Sequence, residues 1–526
     1  SVVPERFTAF PNDETEFMNL FYDSGRNKIK NPKLFQSRII GLVSYYKTQN
    51  KELLPTVTKN EVLELPMSDY QFLKYSNVRK QEIDQDKNKK KRDKPKGDDE
   101  ELFADKSSYR AYSRMHCSFV FPEEIPRPTP KDAAQKLIES GKKKGADEEL
   151  KEIEELGSAE QYEDLVDDND ESPENASSKQ IVKEYERQKN LALRRLNRMK
   201  ETYLVSDADN KLSKYSPKYN SIVAKISEVN GTAFVYTEYR TLEGIATLEI
   251  VLKANGYAPF LLQKTGDDDF KQIYENEGDK DKPMYALWGG DEQTSDIIRK
   301  VYNNDFEELP KTLKTQLESS GKTNLRGDII KVLMTTKTGA EGIDLHNVRQ
   351  VHVIEPFWNP VRVKQVKGRA VRVGSHIQLP PKDRTVEIYT YLAKITKEQL
   401  KSDKQIATDS DGMSSDQVLF DISNRKLQVM EEFLKLIKEV SVDCNLNLEE
   451  TSDEVEKLSC FSFGANPSRS YSFLPNISEE FGDFEKGRRT KVTSWKPIFI
   501  KIPIKGEKVE FAVKQAPKGE ENLLYN

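Results

Sequence analysis

Residues 329–372 read IIKVLMTTKTGAEGIDLHNVRQVHVIEPFWNPVRVKQVKGRAVR, and the fold is decided there. Ile329–Thr335 (IIKVLMT) and Val351–Ile354 (VHVI) are short runs in which nearly every residue is apolar. A strand buried on one face alternates apolar with polar residues, whereas one buried on both faces does not. These runs therefore predict strands of a parallel sheet with helices on either side. Moving outward, Gly231–Tyr236 (GTAFVY) is a β-prone run followed by a polar turn and then Leu242–Ala254, where Leu242, Ile245, Leu248 and Leu252 recur at helical spacing. Val386–Leu392 (VEIYTYL) closes the series, and strands alternating with helices give an α/β class. After a polar stretch from Gln399 to Ser415, Asp416–Val440 predicts a long helix with Val418, Leu419, Ile422, Leu427, Met430, Phe433, Leu434 and Ile437 near helical periodicity. Past Leu446 the periodicity is low until Ile498–Ile504 (IFIKIPI), which reads as one further strand.

Gln365–Arg372 (QVKGRAVR) has the spacing Q-x-x-G-R-x-x-R. Arg369 and Arg372, three residues apart, fall on one helical face, so a helix starting here would aim two guanidiniums at one polyanion such as a triphosphate. That spacing alone is common on exposed helices. It gains weight from Thr338-Gly339-Ala340-Glu341-Gly342-Ile343-Asp344-Leu345 just after the IIKVLMT strand. A Thr-Gly turn at a strand end, a second glycine and then a carboxylate let backbone N–H groups approach a phosphate and offer Asp344 to a ribose or a neighbouring arginine.

Composition sets the outer limits. The 526 residues suffice for about three domains. A charged fraction of 33% and a mean hydropathy of −0.75 exclude a membrane-embedded chain, since no run approaches the roughly 18 apolar residues of a spanning helix. Cys117, Cys444 and Cys460 include no Cys-x-x-Cys pair, which argues against a disulfide framework or a Cys/His zinc site and fits a reducing compartment. His346, His352 and His376 show no metal-ligand spacing and read as structural, so no metal site is expected. The net charge of −5 hides local extremes: Lys87–Lys96 reads KNKKKRDKPK, while Asp147–Glu174 holds 14 acidic residues against Lys151. Such stretches are too polar to pack and are expected to stay solvated. Between them Tyr109–Pro122 (YRAYSRMHCSFVFP) regains apolar density and must be buried.

The Thr338–Leu345 and Gln365–Arg372 pair resembles motifs V and VI of superfamily 2 helicases. Phe357-Trp358-Asn359-Pro360 between them is similar to the Swi/Snf-type branch, as are Val62–Gln71 with Tyr75 (VLELPMSDYQ and a following Tyr), Phe234–Arg240 (FVYTEYR), which looks like motif IV, and Ser216-Pro217-Lys218-Tyr219 at the entry to the second lobe. Phe35–Tyr46, Tyr112–Pro122 and Ser414–Cys444 look like the helicases of large cytoplasmic DNA viruses, the group related to poxvirus nucleoside triphosphatase I and the early transcription factor small subunit.

This resemblance implies a RecA-like helicase C-terminal domain at residues 216–400. It further implies the end of a first RecA-like lobe at 1–46, an inter-lobe region with charged inserts at 47–215, and a helical extension and tail at 401–526. By resemblance Arg372 is the arginine finger and Arg369 a phosphate or cleft contact; Gln365, Gly368, Gly342 and Asp344 belong to the nucleotide side. Thr338, Gly339, Thr237 and Arg240 would contact a DNA backbone. ATP and Mg²⁺ are the implied cofactors, and DNA, a viral RNA polymerase and the missing first lobe the implied partners, in a virion or host cytoplasm, otherwise a nucleus. No G-x-x-x-x-G-K-[ST] loop occurs: Gly321-Lys322-Thr323 supplies its ending, but Gln316 stands at the first glycine position. The phosphate loop and the Mg²⁺-binding Asp-Glu motif are accordingly expected upstream of Ser1, leaving this chain inactive in ATP hydrolysis by itself. A catalytically dead docking module and a chromatin-remodelling ATPase are the alternatives.

Overall fold

The computed structural model describes residues 8–23, 25–45, 51–92, 110–139, 173–207, 209, 211–289, 291–336, 342–447, 458–460, 498–504 and 507–513. The chain divides into a larger unit, residues 50–96 and 102–427, and a smaller one, residues 1–49, 97–101 and 428–526.

The larger unit is built on a seven-stranded sheet. Its strands are β1 (Thr56–Pro66), β2 (Thr232–Tyr236), β3 (Ala258–Pro259), β4 (Met284–Trp288), β5 (Ile330–Thr335), β6 (Val348–Val353) and β7 (Thr385–Lys394). They lie in the order β1-β7-β6-β2-β5-β4-β3, and every neighbouring pair is parallel. Successive side chains feed two separate cores. Ala233 and Val235 of β2, Val332 and Met334 of β5, and Tyr389 and Tyr391 of β7 face one side. There they pack under Tyr219, Ile222 and Ile226 of α3 (Pro217–Glu228) and Leu248 and Val251 of α4 (Ile245–Ala254). Phe234 and Tyr236, Ile330 and Leu333, and Val386 and Ile388 face the other, beneath α5 (Glu292–Tyr302), α6 (Lys311–Ser320) and α7 (Pro360–Ala370). Burial on both faces is why these strands read as apolar runs. Gly321 ends α6 in the left-handed region, φ +68°, so the Gly-Lys-Thr triplet is a helix stop.

Two regions depart from expectation. Thr56–Pro66, in the region read as inter-lobe, is the edge strand of this sheet and pairs with β7 from Thr56↔Thr385 to Pro66↔Lys394. The basic run at Lys87 begins inside α1 (Asp69–Arg92), and its residues 93–96 lie outside the described residues. Residues 147–172 of the acidic run lie outside the described residues. α2 (Ala111–Ser118) is buried as expected, with Met115 and Cys117 inside.

A buried ion pair ties these parts together. Ser216 caps α3, its hydroxyl accepting the Tyr219 N–H at 3.0 Å and donating to the Ser118 carbonyl at 2.5 Å. Two residues on, Lys218 meets Asp416 of α8 (Ser415–Glu439) at 2.6 Å, with side chains 1% and 0% exposed. Lys218 also donates to the Ile354 carbonyl at 2.8 Å, and Asp416 accepts the Ala393 N–H at 3.0 Å.

In the smaller unit, helices Glu14–Phe21 and Pro32–Ile39 flank a short hairpin pairing Tyr22 with Ile29. Phe10, Phe17, Phe21 and Phe35 cluster with Phe433. Ile498–Ile504 is a strand as predicted, paired antiparallel with Glu507–Val513. Cys444 and Cys460 form a disulfide; a single cross-link is no framework, but it departs from a wholly reduced chain, and Cys117 is a free, buried thiol. Among the described residues no helix is long and apolar enough to cross a membrane.

Removing one partner of a buried pair strands the other charge, so Lys218→Met is expected to cost about 3–5 kcal/mol in urea unfolding. Adding Asp416→Asn, which is neutral and still accepts the Ala393 N–H, is expected to restore most of it. A single variant as stable as the wild type would contradict this role.

Candidate functional site

The Gln365–Arg372 segment sits at the end of a helix, not at its start. Asn359 caps α7, accepting the Val361 N–H at 3.0 Å, and Pro360 fills the first turn. Both signals fix the start ahead of the motif. Gln365, Gly368 and Arg369 therefore occupy the second half of α7, and Arg372 lies beyond its cap residue, Val371. This corrects the expectation of two arginines on one face of a helix start. A helix C-terminus favours cations, so an anion here would be met by guanidiniums and not by free helix N–H groups.

Arg372 instead reaches back to Asp344, Nη1 donating to Oδ1 at 3.0 Å, with the two side chains 40% and 51% exposed. Arg369 Nη1 donates to the Ile343 carbonyl at 3.4 Å, while its Nε is buried and has no hydrogen-bond partner among the described residues. An unsatisfied buried guanidinium N–H is costly, and with Arg372 40% exposed beside it the pair offers cationic donors of the kind that suit a phosphate. Gln365 is exposed, and a Cβ on Gly368 would meet nothing within 4 Å, so packing does not demand glycine there. Gly342 is different, with φ +83° at the turn before Asp344. Thr338 and Gly339 lie outside the described residues.

The turn carrying Arg372 is braced from behind. Ser375 Oγ donates to the Arg372 carbonyl at 2.8 Å, and the Ser375 carbonyl accepts the Asn347 N–H at 3.0 Å. Buried His376 places Nε2 2.8 Å from the Val348 carbonyl, and a carbonyl only accepts, so Nε2 carries the proton. Desolvation holds this imidazole down at about 4, neutral at neutral pH. His352 stacks against Tyr389 and Tyr391 inside the sheet, whereas His346 is partly exposed, its ring 3.8 Å from Asp344 and 3.9 Å from Asp305.

The other predicted residues lie at the opposite end of the same sheet. Helix α7 runs back alongside β6, so Arg372 sits beside the first residues of β6, whereas Thr237 and Arg240 follow the last residue of β2. Thr237 is fully buried, its hydroxyl donating to Glu355 Oε1 at 3.1 Å. That hydroxyl is engaged by a carboxylate, which corrects the expectation of a DNA contact through Thr237. Arg240 is exposed, and its carbonyl accepts the Ala246 N–H at 3.2 Å as α4 begins. The turn needs Gly244, where a Cβ would stand 1.7 Å from the Tyr239 carbonyl oxygen. Trp358 packs inward with Lys426 4.3 Å from its ring, and Arg362 covers Phe357 at 4.1 Å.

Glu355 was not singled out by the sequence, although a carboxylate closing the VHVI run was a signal. It also accepts from Ser118 Oγ at 2.9 Å and from the Glu238 N–H at 3.1 Å. Burial raises its carboxyl from 4.5 to about 7, against the opposing pull of Lys218.

Residues 298–374, which run from α5 through β5, β6 and α7 to the turn after Arg372, match the helicase conserved C-terminal domain. The relatives of the chain include viral proteins. It is 28% identical over 512 residues to a candidate ATP-dependent RNA helicase of Acanthamoeba polyphaga mimivirus, covering 92% of this chain and 56% of that protein. It is 28% identical over 238 residues to a termination factor NPH-I homolog of African swine fever virus, covering 44% of this chain and 33% of that one. A candidate helicase of Invertebrate iridescent virus 3 is 26% identical over 245 residues, 45% of this chain and 21% of that protein. The chain thus spans little more than half, or less, of the length of these relatives.

Because Glu355 holds its proton to about 7 when folded but only to 4.5 when unfolded, its contribution to stability is fully present below 4.5 and lost as pH rises through about 7. Glu355→Gln is expected to gain stability relative to the wild type as pH rises from about 5 to about 8 in denaturant titrations. A pH-independent difference would show that Glu355 does not titrate in this window.

Proposed function

We propose that this chain is the C-terminal part of an ATP-dependent, DNA-stimulated translocase of the Swi/Snf type that acts in viral transcription. The observation that carries the reading is Arg372 held at Asp344 beside Arg369, whose buried Nε has no hydrogen-bond partner among the described residues, within a stretch that matches the helicase C-terminal domain. When bound, ATP would supply the phosphoryl transfer. Arg372, half exposed and beyond the end of α7, is free to swing from Asp344 toward a γ-phosphate and neutralise charge developing there. Arg369 would hold the neighbouring phosphates, and Asp344, once released by Arg372, would accept from a ribose hydroxyl. Mg²⁺ would be held by the first lobe that the resemblance places upstream.

At the other end of the sheet, Arg240 is the exposed cation poised for a backbone phosphate, on a turn fixed by Glu355 and Gly244. Phosphate contacts position a protein without reading sequence, so promoter or terminator choice would come from elsewhere. The names of the relatives support a place in viral RNA metabolism, and an RNA polymerase is the expected partner. The site of action would be the virion or the cytoplasm of the infected cell.

The test is ATP hydrolysis, with and without DNA, by the full-length gene product, by the 526-residue chain and by full-length Arg372→Ala. Stimulated turnover is expected only at full length, with kcat lowered about 10³-fold in Arg372→Ala. Arg372→Lys is expected to rescue little, because an ammonium lacks the guanidinium fork. Full-length protein without DNA-stimulated turnover would overturn the motor reading in favour of a docking module.

A further inference from the structure

Asn303 closes α5 and is fully buried. Both ends of its side-chain amide bind one short segment 41–43 residues away in sequence: Nδ2 donates to the Asp344 carbonyl at 3.0 Å, and Oδ1 accepts the His346 N–H at 2.9 Å. The orientation of the amide is not arbitrary, because a backbone carbonyl only accepts and a backbone N–H only donates. This is the pattern of a strand bridge, made by a side chain. Among the described residues no backbone group bonds the N–H or C=O of 343–346, so side chains fix this backbone: Asn303 at Asp344 and His346, and Arg369 at the Ile343 carbonyl. Ile343 and Leu345, on either side of Asp344, are fully buried, which leaves the Asp344 carboxylate as the group turned outward, where it meets Arg372.

The anchor is itself anchored. Asn304, next in the chain, accepts the Asn324 N–H at 2.8 Å, and Asn324 donates to the Tyr302 carbonyl at 2.8 Å and accepts the Ile330 N–H at 2.8 Å. Asn303 is therefore held between the end of α5 and the first residue of β5. A residue serving only to end a helix needs no such double bond to a distant loop.

We infer that Asn303 is a positioning residue for Arg372: its amide sets the backbone of 344–346, which sets the Asp344 carboxylate, which holds the Arg372 guanidinium in its resting place. The role in turnover rests on the nucleotide reading above; the geometric role does not. Asn303→Ala removes both bonds. Asn303→Asp keeps acceptance from His346 but places a carboxylate against the Asp344 carbonyl, separating the two halves of the clamp.

Hydrogen exchange on the 526-residue chain tests the geometry without turnover. Asn303→Ala is expected to speed exchange about tenfold or more both in 343–347 and in 371–375, with β2 at the wild-type rate, as local opening should. Unchanged exchange at 371–375 overturns the proposal, even if 343–347 loosens. In the full-length gene product, Asn303→Ala is expected to lower kcat about 30-fold with little change in KM, and Arg372→Ala is expected to cost far less in that background than alone, as coupled residues do. Equal Arg372→Ala penalties in both backgrounds would overturn the positioning role. Wild-type protein without turnover would count against the nucleotide reading, with the exchange experiment left to decide this one.

Discussion

Lys218 and Asp416 are both shut away from water, and the larger unit is organised around their contact. Burying two charges is expensive, and the cost is offset only when each also finds fixed polar partners. Here those partners are the Ile354 carbonyl, just past β6, and the N–H of Ala393, next to the last residue of β7. The pair thus determines where α3 begins, where β6 and β7 stop and where α8 departs. Glu355 comes immediately after Ile354, so its carboxylate inherits that fixed position and holds the start of the turn that presents Arg240.

A parallel sheet has two chemically different ends, and this one assigns them to different groups. The starts of β5 and β6 gather Asn303, Asp344, Arg369 and Arg372; the ends of β2 and β6 gather Thr237, Arg240 and Glu355. β5 ends at one end of the sheet, and β6, the next strand in the chain, begins at the other. Asp344, held by Asn303 just past α5, lies in the chain between those two strands.

The sheet was legible because its inner strands are buried on both faces and so carry apolar runs that few other structures need. Thr56–Pro66 was not legible as part of it: nearly all its residues are exposed, and only Leu63 and Leu65 of this edge strand pack against the core, too short an alternation to read. The arginine pair was found from its spacing, but its place was misjudged. Asn359-Pro360 marks a helix start six residues before Gln365, and taking that signal at face value would have put the motif at the helix end. Thr237 looked like a surface group because a polar residue after a strand usually is one; only tertiary structure reveals the buried Glu355 that claims it. Asn303 could not be found at all, since its meaning depends on a loop some 40 residues away.

The most direct test of this two-ended account is the DNA affinity of the full-length gene product with and without a non-hydrolysable ATP analogue, compared with Arg372→Ala. Coupling between the ends predicts that the analogue shifts the DNA Kd about fivefold or more, and that Arg372→Ala abolishes the shift while leaving the Kd without nucleotide nearly unchanged. The same Kd in both nucleotide states of the wild type would contradict it.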